Sequence, residues 1–516
     1  MKSNRYTSLA IALLASLALN SCKKFLDLQP TSTVTSENAY LTGDNIEKAL
    51  NGAYNSFIGN GTRPGSNANY YQWEMILQTD IRSDNAHAAG GGEIDFSQID
   101  YNTITNTNEM VRRDWEELYG AISKCNIVID NVGKVTDPTF SDERRKQILG
   151  EASFLRAFHY YQLVKLYGGV PLEKHSNSTD SEVLRIKRST VEEVYDFIDS
   201  DLQVAANNLP DGFGQASIDK VRATKGAANA LLTKIWAQRP DRDYNKVLQY
   251  ANAVITGKGG YQLLQNYADL FDGKHNYNSE SIIEIPYIAG SPNLSCWGGA
   301  FFFPDLDENG QINENEWRRY GTPSKDLVEA YDNAGDTERK NANIWFFSVP
   351  WADEFWNPCG DADTEIPFNV KQKHANSFQS GDHFYLLRLA DIILLKAEAQ
   401  NALGNASGAI NTINIIRHRA GLSDLSGVSS TALKAIILNE RRLELAFEGQ
   451  RWDDLNRYGV TVDVMNKLNE IKFTCDNGKQ SNPTLIKYNF NQNSLLLPIP
   501  LLELQANPSL TQNPGY

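Results

Sequence analysis

Apolar residues recur at helical spacing over most of the chain. Between 44 and 58, Ile46, Leu50, Ala53, Tyr54 and Phe57 form a stripe, the pattern of a helix that buries one face. A second stripe runs over 113–132, from Trp115 to Val132. The span 141–167 reads as a long amphipathic helix with Ile148, Ala152, Leu155, Phe158, Leu163 and Leu166 at core positions, stopped by Gly168, Gly169 and Pro171. Ser189-Thr190-Val191-Glu192 reads as a capping box opening a helix that runs to about Asn208. Two antiparallel pairs follow, 222–238 with 243–256 and 383–403 with 407–419, and one long helix is predicted over 430–458. Ala227, Ala230 and Ala237, and again Ala390, Ala397 and Ala399, put small residues on the contact faces, as tetratricopeptide pairs do. No strict 34-residue repeat is visible, so a solenoid would be degenerate, and the pattern alone also fits a generic helical bundle.

From about 259 to 381 helical periodicity fades and Gly, Pro, Asn and Asp rise. Five of the nine Trp fall there (Trp297, Trp317, Trp345, Trp351, Trp356), with Phe301 to Phe303. So many aromatics argue against disorder. They must fill a satellite core or show their faces to a ligand, and a long irregular segment in a folded chain is usually functional.

The first residues change the picture. Lys2 and Arg5 precede an apolar run from Leu9 to Leu19, too short to span a bilayer, and the run ends Leu19-Asn20-Ser21-Cys22. This fits a signal peptide over 1–21 with a lipobox, Cys22 being the acylated residue that anchors the mature chain. Three regions follow: 22–258 helical, 259–381 irregular and aromatic-rich, and 382–516 helical. A net charge of −14 with no basic patch excludes a free-standing nucleic-acid binder. Of the remaining cysteines, Cys125 lies on an apolar helix face and reads as buried. Cys296 and Cys359 lie in irregular segments and make the better disulfide pair, although four thiols allow three connectivities.

Several blocks resemble the SusD/RagB family of outer-membrane nutrient-binding lipoproteins. They are Cys22-Lys-Lys-Phe-Leu-Asp27-Leu-Gln-Pro30, Gly150 to Tyr161 with Leu166-Tyr-Gly-Gly-Val-Pro171, Arg222 to Leu232, Leu387 to Ala399, Asn439-Glu440-Arg441-Arg442 to Trp452-Asp453-Asp454, and the ending from Leu497-Pro-Ile-Pro500 to Tyr516. The resemblance spans nearly the whole mature chain. It implies a mostly α fold, a SusD-like α/α superhelix of tetratricopeptide-like pairs. It also implies a non-catalytic lipoprotein on the outer membrane at the cell surface, which passes oligosaccharide or polysaccharide to a SusC-like TonB-dependent transporter. Peptide or another nutrient on the same scaffold is the alternative cargo, and a secreted glycoside hydrolase is a rival of another class. Glu440, Arg441, Glu444, Glu448 and Arg451 stand at helical spacing and read as ladders that lock helices.

A sugar offers an apolar face to an aromatic ring and hydroxyls to Asn, Asp, Arg or Gln. Trp317, Trp351 and Trp356 sit among polar residues and are the preferred platforms. Trp297, Asn315, Asn357 and Trp73 join them as glycan-binding candidates. Phe301 to Phe303 read as local core, as do Trp115, Trp236 and Trp452 on helices. Asp305-Leu-Asp307-Glu-Asn309-Gly310-Gln311-Ile312-Asn313-Glu-Asn-Glu316 has the spacing of a twelve-residue calcium loop. Its candidate metal residues are Asp305, Asp307, Asn309, Gln311, Asn313 and Glu316. No HExxH, GxSxG or P-loop is present, so an enzyme is not expected.

Overall fold

The structure is a computed structural model that describes residues 39–59, 70–89, 93–176, 185–291, 294–296, 302–303, 320–349, 351–361, 363–374 and 379–516. The longer helices are α1 (Gly43–Ile58), α2 (Glu109–Val132), α3 (Asp142–Tyr167), α4 (Val191–Asn208), α5 (Lys225–Gln238), α6 (Tyr244–Ile255), α7 (Lys325–Ala334), α8 (Leu389–Ala402), α9 (Ala406–Arg419), α10 (Ser430–Leu445) and α11 (Arg451–Tyr458). Polar side chains set most of their starts. Thr42, Asn108, Ser141, Thr224, Asp243, Ser324, Asn405 and Ser429 each accept from a first-turn amide that would otherwise have no partner. At α4 the capping box is complete but sits one residue later than its sequence signature, with Thr190 and Glu193 as the reciprocal pair.

Helices pack as a succession: α2 on α3, α3 on α4, α4 on α5, α5 on α6, α6 on α8, and α8 on both α9 and α10. Such stacking against neighbours is how helix-pair solenoids bury a continuous core. Alanines make the contacts close. Ala227, Ala230, Ala237, Ala390, Ala397 and Ala399 are all buried. The central helix α3 is not amphipathic as its sequence suggested. Apart from the half-buried Lys165, every residue from Gly150 to Tyr167 is buried, because α2 and α4 cover it from both sides. Its polar residues survive burial by pairing: Arg156 grips Asp201 at 2.7 and 2.8 Å, and Tyr71 meets His159 at 2.7 Å.

Two expected helices are shorter than their apolar patterns. Phe384–Arg388 is strand β6, paired antiparallel with β2 (Ser281–Ile285), and α8 begins only at Leu389. The predicted helix over 430–458 breaks between α10 and α11, where Phe447 and Gly449 take φ of 61° and 73°. Both amides there donate to the buried Asp80 at 2.9 Å, a long-range contact that turns the chain. The remaining strands are short ribbons: β1 (Ala86–His87) with β3 (Thr322–Pro323), β4 (Ile344–Ser348) with β5 (Glu365–Asn369), β7 (Ile471–Lys472) with β10 (Thr484–Leu485), and β8 (Cys475–Asp476) with β9 (Lys479–Gln480). The region 259–381 is thus less irregular than its composition indicated. Ribbon β4–β5 carries a satellite core of Phe303, Val349, Trp351, Ile366, Phe368 and Val370.

The disulfide joins Cys359 to Cys475 across 116 residues, not to Cys296. Cys296 is buried, with its sulfur 3.9 Å from the Gln72 carbonyl, and Cys125 is buried on α2 as expected. Among the described residues no helix is long and apolar enough to cross a membrane.

Candidate functional site

Two regions concentrate unusual chemistry. The first is a hub of buried charge on α10 and α11. Arg388 binds Glu448 at 2.6 Å, Glu444 at 2.6 Å and Glu280 at 2.8 Å. Arg339 reaches Glu440, Glu444 and Asp336, and Arg419 reaches Glu280 and Glu444. Arg441 pairs with Asp454 and Asp391, and Arg451 with Asp84 through two bonds of 2.7 Å. Burial pushes the Glu444 carboxyl up, but Arg419, Arg388 and Arg339 overcome it and hold it well below the usual range. Asp84 is likewise held at about 2 by Arg442 and Arg451 against its own burial. Perturbed carboxylates often mark catalysis. Here Glu444 and Asp84 are surrounded by guanidinium groups, which leaves them unsuited to holding a proton. The ladder residues read from the sequence are therefore scaffold, tying α8, α9, α10 and α11 to segments near Asp84 and Glu280.

The second region is ribbon β4–β5. Its register sets Trp345 opposite Phe368 and Phe347 opposite Ile366. Trp345 and Phe347 lie on the same face, as residues two apart in a strand do, with Phe303 behind them at 6.1 and 5.8 Å. Trp345 is 36% exposed and Phe347 half-buried. The indole is fixed by its Nε1–H donating to the Asn341 carbonyl at 2.8 Å. The Lys373 ammonium stands 5.6 Å from the ring centroid, held by the Phe271 carbonyl. The result is a rigid aromatic ledge with a polar rim of Asn341 and Lys373.

The expected platforms that fall among the described residues are not part of the ledge. Trp73 is 4% exposed, packed edge to face on Phe96 at 5.1 Å. Trp351 is also 4% exposed, inside the satellite core against Phe368. Neither indole offers a face to a ligand. Asn357 is buried, its amide spent on the carbonyls of Asp361 and Thr364. Trp356 is half-buried, with its Nε1–H on the Pro323 carbonyl at 3.0 Å and the Lys325 ammonium over its ring at 5.4 Å. Cys22, Trp297, Trp317 and Asn315 lie outside the described residues, as do Asp305, Asp307, Asn309, Gln311, Asn313 and Glu316 of the calcium-like loop. Phe302, Phe303, Trp115, Trp236 and Trp452 are buried as expected, and Phe301 is outside the described residues. Trp345, the platform that sequence reading passed over, sits in the run Ile344-Trp-Phe-Phe. The only available signal was the two-residue spacing of Trp345 and Phe347.

Beside Trp356 lies a cavity of about 410 Å³ lined by His87, Lys325, Phe355, Glu470 and Phe473. His87 lies flat on Phe355, with ring centroids 3.8 Å apart, and meets Glu470 at 2.7 Å. Burial opposes the charged ring, yet Glu470 and Asp100 push its pKa up to about 10. The faces of His87 and Phe355 are thus used on one another, and the charge is spent internally. Asp269, Asp272 and His275 stand close enough to share a metal ion, but Asp272 already holds His275 Nδ1 at 2.8 Å and two backbone amides.

Comparison with known proteins gives the fold its relatives. Residues 237–516 match the model of the SusD family, and residues 24–236 match that described as starch-binding, associating with outer membrane. SusD-like protein P25 of Formosa agariphila is 27% identical over 96% of this chain and 97% of its own. The starch-binding protein SusD of Bacteroides thetaiotaomicron is 25% identical over 77% and 76%. Among solved structures, a laminarin-binding SusD-like protein superposes with a TM-score of 0.74 at 23% identity, covering 92% of this chain and 100% of that one. Surface glycan-binding protein A from Bacteroides fluxus gives 0.74 at 22%, again with 92% and 100% coverage. With family models matching from residue 24 to the last, on a helical fold shared with these structures, the chain belongs to the SusD family of carbohydrate-binding proteins and is not an enzyme.

Proposed function

We propose that this protein holds an oligosaccharide or polysaccharide against the Trp345–Phe347 ledge at the cell surface and passes it to a SusC-like TonB-dependent transporter in the outer membrane. The observation that carries the ligand is Trp345: an indole fixed at its Nε1–H, backed by Phe303 and left with an exposed face. Such a ring covers the C–H face of a pyranose, while Asn341 and Lys373 are placed for its hydroxyls. Relatives named for binding laminarin, starch and surface glycans support a neutral glucan as the first class to try. Trp297, Trp317 and Asn315 join this reading on sequence grounds alone.

Native electrophoresis through gels containing laminarin, starch or other polysaccharides tests the ligand. Retardation by at least one is expected, and migration unchanged by all of them, with a peptide bound instead, would replace the glycan by the alternative cargo. Copurification with a SusC-like transporter tests delivery. Mass spectrometry tests the anchor: acyl chains are expected on Cys22 and none on a Cys22→Ala chain. For Asp305–Glu316 calcium is proposed from spacing alone: millimolar calcium should raise Tm, and an unchanged Tm counts against it.

A further inference from the structure

A second cavity, of about 400 Å³, lies where the turn before α6 meets α8, α10 and α11, among residues that neither the hub nor the ledge uses for ligand. Its charge does not balance internally. Glu398 enters it from α8, but that carboxylate already holds the Arg457 guanidinium at 2.9 and 3.0 Å, and Arg457 also reaches Asp454 at 2.8 Å. Two more cations line the space. Arg242 donates to the carbonyls of Arg457 (2.6 Å) and Arg239 (3.4 Å) and also meets the Tyr244 hydroxyl. Lys434 stands 5.5 Å from the Tyr458 ring. Among the described residues neither forms an ion pair, in a chain whose net charge is −14. A further donor waits there: the Tyr458 hydroxyl is buried and finds no hydrogen-bond partner. A buried polar atom left so costs free energy that a ligand can return. Two aromatic rings, Tyr244 and Tyr458, form part of the wall.

We propose that this cavity binds an acidic sugar unit, a hexuronic acid, with its carboxylate between Arg242 and Lys434 and in reach of the Tyr458 hydroxyl. The carboxylate follows from two cations that no described carboxylate pairs with, beside a hydroxyl with no hydrogen-bond partner. The sugar ring rests on the glycan-binding reading above and on the tyrosine walls. The volume lies at the small end of ligand pockets, which suits a single unit and not a long chain. The site would make this protein discriminate charged glycans from neutral ones by a contact remote in sequence from the aromatic ledge.

Isothermal titration of the mature chain with glucuronate, galacturonate, glucose, galactose and acetate tests the inference. A uronate is expected to bind where its neutral counterpart does not, more weakly at high salt. Lys434→Met and Tyr458→Phe should each weaken it about fivefold or more. Glucose or galactose binding equally well, acetate binding as tightly as the uronates, no binding of either uronate, or uronate binding untouched in both variants would each overturn the proposal. Failure of the glycan reading shows separately, as no polysaccharide retarding the intact chain. A retained polysaccharide with no uronate binding sinks this site alone.

Discussion

The charged hub and the aromatic ribbon are both built from residues that usually signal function, and they differ in what they leave available. At the hub, Glu444 faces Arg388, Arg339 and Arg419, and those guanidinium groups are themselves held by Glu280, Glu440, Glu448 and Asp336. At the ribbon, Phe303, Trp351, Ile366 and Phe368 close a small core, but Trp345 keeps one face outside it. The arginine-held acids therefore mark the scaffold here, and the proposed ligand surface is a ring left over from packing. Exposure, and not residue type, separates the two roles.

The largest effect should come from breaking the hub. Glu444→Ala leaves three buried arginines short of a partner, and a loss of about 4 kcal/mol is expected, seen as a large fall in urea midpoint. If the hub is only scaffold, whatever protein still folds keeps its glycan affinity. Next comes the staple that ties the segment after Trp351 to the β8–β9 hairpin. Replacing Cys359 and Cys475 by Ser should cost about 3 kcal/mol, and reductant should lower the wild-type Tm toward that of the variant. Hydrogen exchange should rise in 351–361 and 471–485 and stay unchanged in α10.

Acid should act on the hub before the ribbon. Asp84 has a folded-state pKa of about 2 against an ordinary value of 3.8. Its contribution is therefore fully present above that ordinary value and is lost as pH falls from there through about 2. Linkage puts this at about 2 kcal/mol, measurable as the slope of stability against pH, and Asp84→Asn should flatten that slope. Smallest in stability is Trp345→Ala. Its side chain is partly exposed, so unfolding should shift by no more than about 1 kcal/mol, although glycan affinity falls.

Much of the scaffold was legible in the sequence because helices announce themselves locally. Thr190 with Glu193, the Gly168–Pro171 stop and the alanine faces all act within a few residues of where they stand. What was not legible depends on distant partners. Nothing local separates Phe384–Arg388 from α8; pairing with β2 makes it a strand. The break at Phe447–Gly449 is set by Asp80, far away in sequence. The site suffered for the same reason. Trp351 and Asn357 have polar neighbours in sequence, yet their own loop and the satellite core bury them. Trp345 has apolar neighbours, yet strand alternation turns it outward.

The central claim is that Trp345 holds the glycan without holding the fold. The most direct measurement is the affinity for the retained polysaccharide in wild type and Trp345→Ala, with Tm taken on the same samples. A loss of about tenfold or more in affinity, with Tm shifted by no more than about 2 °C, is the expected result. Equal affinity in the two proteins would contradict it.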